Sequence, residues 1–207
     1  VTQITTTAGL ALLVNPQLPF RTPQAFIEAA KGGSVAFGSP GVGNSLHLPG
    51  ELMNVMAGTR LLHVPYKGAA LAVNAVIGGE IQAAFLTPSA AAPLIRSGQL
   101  RAIAVTSAQR LALFPDVPTL AESAMPGFVY SGAWMGLVAP GGTPSAITQR
   151  LAAEIRQVLQ SPDLHTRLTA EGSEIVASTP EEFARFLVQD MARFAEIVRQ
   201  AGIQPIE

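Results

Sequence analysis

The stretch Ser39-Pro40-Gly41-Val42-Gly43-Asn44-Ser45 has the make-up of a small anion receptor. Glycines at 41 and 43 let the backbone turn sharply and bring several N–H groups together. Asn44 and Ser45 add side-chain donors. Ahead of the loop, Ser34-Val35-Ala36-Phe37 reads as a short buried strand. Behind it, the spacing of Leu48, Leu52, Met53 and Met56 predicts a helix over 45–57. Such a helix would aim its free first-turn N–H groups and the positive end of its dipole at the loop. A carboxylate is the anion that suits this receptor. The loop is not a dinucleotide fingerprint, because Leu46 stands where the third glycine belongs, and no Gly-Lys-Ser/Thr makes it a phosphate loop. Ser45 is not framed as a nucleophile elbow. Taken alone, the loop also reads as an ordinary tight strand-to-helix connection.

Three more strand ends could deliver polar groups to the same place: Pro65-Tyr66-Lys67-Gly68, Leu86-Thr87-Pro88 and Thr106-Ser107. In open parallel sheets ligands bind beyond the carboxyl ends of the strands. The candidate ligand-binding residues are therefore Ser39, Gly41, Gly43, Asn44, Ser45, His47, Tyr66, Lys67, Leu86, Thr87 and Trp134. His47 reads either as a donor to the anion or as a core or capping group. Lys67 reads as a cation at the cleft or as a solvated loop lysine, and Trp134 as a cleft wall or as core. His47 and Glu51 are four apart, as two metal ligands could be, but no third ligand joins them, and no metal is expected. No nucleophile–base pair stands at motif spacing, and His63 and His165 have no recognisable partner in the sequence. An enzyme is not expected.

The elements that would hold these groups alternate. After Leu10-Ala11-Leu12-Leu13-Val14, a buried-strand run, Thr22-Pro23 opens a helix through Lys31, with threonine as N-cap and proline at the first helical position. Similar openings stand at Thr87-Pro88, Thr143-Pro144, Ser161-Pro162 and Thr179-Pro180, the last inside a capping box with Glu182. Strands over 34–38, 60–64, 81–85 and 100–106 interleave with helices over 45–57, 69–77 and 88–97. That order predicts a parallel sheet covered on both faces. A short helix is expected near 119–124 and one or two strands over 128–139. Beyond Pro140-Gly141-Gly142, two amphipathic stripes dominate: Ile147, Leu151, Ile155, Val158 and Leu159, then Phe183, Phe186, Leu187, Met191, Phe194 and Val198. Residues 15–131 read as one complete α/β lobe, and 1–14 with 132–207 as part of another.

Composition narrows the function. The chain has 207 residues, 48% of them hydrophobic and 13% charged, with net charge -1. This is an apolar, nearly neutral globular chain without the basic stripe that nucleic acid requires. The absence of cysteine excludes disulfides and thiol catalysis and suits an oxidising compartment. No apolar run approaches the roughly 18 residues that span a bilayer. The sequence opens on Val1 with no signal-peptide pattern, so a processed or shortened product is expected.

Several segments resemble one family together. They are Ser39 to His47, Gly50-Glu51-Leu52, His63-Val64-Pro65-Tyr66-Lys67-Gly68, Gly78-Gly79, Ser97 to Ser107, Pro115-Asp116-Val117-Pro118-Thr119, Pro126-Gly127, Trp134 to Pro140 and Thr179 to Phe183. The chain resembles the Bug (TctC-type) solute-binding proteins of tripartite tricarboxylate transporters from about Leu10 onward. The resemblance implies a two-lobed periplasmic-binding-protein-like (type II) α/β fold with parallel-sheet lobes. It also implies a periplasmic location, no enzymatic activity and no cofactor. Its partners would be a small carboxylic acid and the transporter's membrane subunits. It makes 15–131 lobe two and 1–14 plus 132–207 the remainder of lobe one. Family members carry about a hundred more N-terminal residues, so the first lobe is incomplete in this chain. Many members place aspartate where Leu86 stands, so the resemblance implies a ligand with a simple or apolar body. With part of lobe one missing, both helical stripes should lack their covering sheet, and a homodimer through the incomplete lobe is expected. The alternative is the ligand-sensing domain of a LysR-type transcriptional regulator, of similar length and form.

Overall fold

The computed structural model describes residues 1–170 and 172–203. Its larger layer is a five-stranded sheet in the order β4-β3-β5-β2-β6. The strands are β2 (Ala11–Val14), β3 (Ala36–Ser39), β4 (Leu62–Pro65), β5 (Ala83–Leu86) and β6 (Arg101–Val105). β3 is parallel to β4 and β5, but β2 runs antiparallel between β5 and β6. The sheet is therefore mixed, where alternation alone predicted a parallel one. β2 also pairs with the strands of 15–131, although the sequence division grouped it with 1–14. A strand with apolar residues on both faces is buried wherever it finds two neighbours, and the gap between β5 and β6 provides them.

Period-two alternation divides the core between the two faces of this sheet. Leu10, Leu12, Val14, Phe37 and Phe85 pack on one side with α1 (Pro23–Lys31), α2 (Leu48–Ala57) and the far end of α8 (Pro180–Gln200). Ala11, Leu13, Ala84, Leu86 and Val105 pack on the other with α3 (Ala69–Ile77) and α4 (Pro88–Arg96). Thr22 caps α1 through Ala25 N–H, and Thr179 closes α8 with a full capping box. Thr119 caps the short α5 (Leu120–Ser123). Thr143 is not a cap: its hydroxyl donates to Pro140 O, and α6 (Ser145–Leu159) starts after Pro144.

A smaller sheet, β7-β1-β8, joins β1 (Thr2–Thr6), β7 (Trp134–Leu137) and β8 (Glu174–Ile175), with α6 and α7 (Pro162–Ala170) beside it. The stripe on α8 is covered in part, contrary to expectation, with Phe183 buried and Met191 left exposed. Phe183 packs near Trp134 on the small sheet, while Phe194, Ile197 and Val198 reach the core of the large one. One helix of 21 residues bridges both layers. The α6 stripe stays partly open, with Ile147, Leu151 and Val158 exposed and Leu159 buried.

Two chain segments cross between the layers and bond to each other. Thr7 N–H donates to Ala133 O and Gly132 N–H to Thr7 O. A Cβ at Gly132 would overlap Thr7 Oγ1, so the crossing closes only around glycine.

Candidate functional site

Because β3, β4 and β5 are parallel, their carboxyl ends lie on one edge of the sheet. Each end leads directly toward a helix, so the loop 39–45 and the starts of α2, α3 and α4 share that edge. β6 is antiparallel to β2, as β5 is, so its end joins them.

The loop is held mostly by its own bonds. Gly41 N–H donates to Ser39 Oγ at 3.2 Å, Gly43 N–H to His47 Nδ1 at 3.0 Å and Leu46 N–H to Asn44 Oδ1 at 2.9 Å. Asn44 N–H donates to Gly41 O, and His47 N–H and Leu48 N–H to Asn44 O. The residues before Leu48 thus form turns that use the first amides of α2, which begins at Leu48 and not at Ser45. The expected free N-terminus of that helix is absent. Among the described residues, the Val42 and Ser45 amides are the loop N–H groups left without an acceptor. Gly43 has φ +76°, the left-handed region that favours glycine, and open space where a Cβ would stand.

The flanking helices supply what α2 does not. α3 follows Gly68 and α4 follows Thr87, and neither N-cap makes a side-chain cap bond. The first-turn amides of Ala69, Ala70 and Leu71, and of Ser89 and Ala90, have no acceptor among the described residues. Dipoles and unpaired N–H groups from two helices therefore meet the loop amides at one edge, an arrangement that favours a negative charge. No residue pattern marks these termini, rather than that of α2, as the free ones. That depended on turn formation at Asn44 to His47.

Other candidates are placed as follows. Ser39 is buried, and its hydroxyl lies 2.7 Å from His63 Nε2. His47 is also buried, with Nδ1 taken by Gly43 and Nε2 by Glu51 Oε1 at 3.1 Å, so it has no N–H for a ligand. Tyr66 is half-buried beside the loop, its N–H on Ser39 O, and Lys67 next to it is exposed. Burial, then Glu80, pushes the Tyr66 phenol up. Thr87 is half-buried at the start of α4. One expectation needs correction. Leu86 shares a face with Ala84 and lies in the core under α3 and α4, 4% exposed, because alternation along β5 turns it inward. Trp134 lies on the small sheet and is 36% exposed: its indole donates to Asp190 Oδ2 at 2.8 Å and its ring meets Phe183 and Phe186 edge-on.

Behind the loop lies a cluster that sequence spacing did not show. The rings of His47 and His63 are 3.8 Å apart, centroid to centroid. β3 and β4 bring Phe37 and His63 into register, and α2 brings His47 over both. Burial and the neighbouring His47 push His63 down to about 4, against the pull of Glu51. Burial pushes the Glu51 carboxyl up, but hydrogen bonds from His47 and Asn54 more than offset it and hold the group below its usual range. Among the described residues no cluster of three His, Asp or Glu could hold a metal, and no helix is long and apolar enough to cross a membrane.

Thr106 and Tyr130 fix the loop to the crossing segments. Thr106 Oγ1 accepts Leu10 N–H at 2.8 Å and donates to Tyr130 O at 2.7 Å. The Tyr130 hydroxyl donates to Ser45 O at 2.9 Å, and burial pushes that phenol well up. Next to the start of α4, a groove of about 330 Å³ runs between Pro88, Leu111 and Leu113 on one side and Thr169, Ala170, Gly172 and Ser173 of the smaller layer on the other.

Comparison with known proteins gives one consistent result. The model of the tripartite tricarboxylate transporter family receptor matches residues 1–203. Protein BugT of Bordetella pertussis is 36% identical over 195 residues, 93% of this chain and 60% of its own length. Among solved structures, R. palustris Rpa4515 with adipate superposes with a TM-score of 0.91 at 29% identity, over 100% of this chain and 69% of that one. MatC from Rhodopseudomonas palustris with bound malate gives 0.83 at 27% identity, over 96% and 68%. The chain thus spans 60% of the length of BugT and about two thirds of the solved chains.

Proposed function

The chain belongs to the tripartite tricarboxylate transporter receptor family, and on that premise we propose that it binds a small carboxylic acid at the shared edge of β3, β4 and β5. The observation that carries this reading is the convergence of unpaired amides from three chain segments: Val42 and Ser45, the first turn of α3, and the first turn of α4. One carboxylate would be held by backbone, with the Asn44 and Ser45 side chains and Lys67 at its margin. Tyr66 and Thr87 border the same edge, and the apolar groove beside Pro88 would take the body of the acid. Structures of family relatives with adipate and with malate support a dicarboxylate ligand.

The role follows from the chemistry. Backbone amides bind an anion without reacting with it, and the serine nearest a histidine, Ser39, is buried. The protein is a non-enzymatic capture protein, working in the periplasm and passing its acid to the membrane subunits of a tripartite transporter. Lobe two would bear the loop, and the smaller layer would belong to lobe one. The exposed apolar residues of α6 make pairing of two chains through that layer part of the same proposal.

Titration calorimetry with adipate and malate at neutral pH tests it. Saturable binding of either acid, lost when the loop is reshaped by Gly43→Val in a folded variant, is the expected result. Binding of both acids unchanged by that substitution would place the site elsewhere.

A further inference from the structure

The imidazole pair behind the loop has no part in holding a carboxylate, yet both glycines of the loop end on it. Gly43 N–H donates to His47 Nδ1 at 3.0 Å. That bond puts the His47 proton on Nε2, which donates to Glu51 Oε1 at 3.1 Å. Gly41 reaches the pair through Ser39, whose Oγ accepts Gly41 N–H at 3.2 Å and lies 2.7 Å from His63 Nε2. Counting partners assigns the remaining protons. If His63 Nε2–H donates to Ser39 Oγ, the serine hydroxyl can donate to Gly41 O at 3.0 Å, and the Ser39 hydroxyl and both His47 nitrogens have partners.

We propose that His47, braced by the ring of His63, is a positioning residue for the ligand loop: its uncharged ring holds the Gly43 amide and so sets where the neighbouring Val42 and Ser45 amides point. The ring itself, 3% exposed and bonded at both nitrogens, meets no ligand. The effect on affinity rests on the carboxylate reading above; the effect on the loop does not.

The hold depends on charge. A proton added to His47 has only Nδ1 to occupy, and Gly43 N–H already points there. Two donors then face each other and the bond is lost. Three elements pack against the ring. Glu51 on α2 favours the cation, His63 on β4 disfavours a second charge beside its own ring, and Phe37 on β3 adds an apolar face. His63 stays neutral well below pH 7, so at neutral pH it braces the ring without repelling it.

Two substitutions separate this role from simple packing. In H47N the amide oxygen can stand where Nδ1 stood and accept Gly43 N–H. In H47L the volume is filled and the acceptor is gone. Hydrogen exchange at the Gly43 amide, followed by NMR without ligand, should be about tenfold faster in H47L than in the parent and near the parent rate in H47N, as the loss of one hydrogen bond predicts. Adipate affinity should follow the same order, about tenfold weaker in H47L. Unchanged Gly43 exchange in H47L overturns the proposal, as does damage in H47N equal to that in H47L. Should H47L not fold, H47N decides: Gly43 exchange about tenfold faster in H47N than in the parent overturns it. A parent that binds no adipate fails the carboxylate reading alone, since the amide measurements need no ligand.

Discussion

Thr106 is the residue whose removal should reveal how the site is anchored. It lies at the end of β6, fully buried, and joins three segments through one hydroxyl. Thr106→Val keeps the shape and replaces the hydroxyl with a methyl group. Leu10 N–H and Tyr130 O then lose the only partners they have among the described residues. Each unsatisfied buried group costs about 1–3 kcal/mol. The two backbone bonds that remain, Thr106 N–H to Leu10 O and Tyr130 N–H to Thr106 O, should keep the segments in place, so relief by rearrangement is small. The expected loss is about 2–5 kcal/mol. For a chain of this length each kcal/mol lowers Tm by about 2–4 °C, so the drop should be at least about 4 °C. Urea unfolding followed by circular dichroism at pH 7 measures it, with Thr106→Ser as the control that restores both bonds. Adipate affinity should fall as well, because Tyr130 carries the hydroxyl that holds Ser45 O. A valine variant within about 0.5 kcal/mol of the parent would refute the reasoning, since that is the range of an ordinary surface change. A serine variant as damaged as valine would show that the threonine methyl, not the hydroxyl, matters.

Gly43→Val places a β-branched residue at φ +76°, a strain of about 1–3 kcal/mol, whereas Gly43→Asn tolerates that region. Calorimetry with adipate should find binding lost in the valine variant and retained with asparagine, and equal affinities would contradict a backbone origin. Leu86→Asp puts a carboxylate into the core and should cost about 3–5 kcal/mol in urea unfolding; a stable variant with altered acid preference would return position 86 to the binding site. Stability should also fall with acid. The folded-state pKa of His63 is depressed, so its contribution is fully present above the ordinary histidine pKa near 6.5 and is lost as pH falls toward about 4. Allowing for partial exposure, the change is on the order of 1–2 kcal/mol. Unfolding at pH 7 and pH 5 should differ less in His63→Asn than in the parent, and an identical pH dependence would mean His63 is not a source.

The local elements were legible in the residues because their causes are local. Thr22-Pro23, Thr119 and Thr179 mark helix starts by capping chemistry that acts within one turn, and the structure has those bonds. The family could be read from segments such as His63 to Gly68, and the family model matches 1–203. The direction of β2 was not legible, because a four-residue apolar run looks the same in either orientation and only its neighbours choose. Which helix end would be free was likewise decided in three dimensions. Asn44 to His47 fold into turns that use up the amides of α2, and the unpaired ones fall to α3 and α4. His63 looked solitary in the sequence because Ser39 is 24 positions away and belongs to the adjoining strand. Its 2.7 Å contact, like the packing of His47 against the same ring, comes from strand pairing and helix packing. Residue spacing carries contacts that close within a turn or along a strand, while contacts between separate elements are set by the free energy of burying their faces together, which only the assembled sheet and its helices realise.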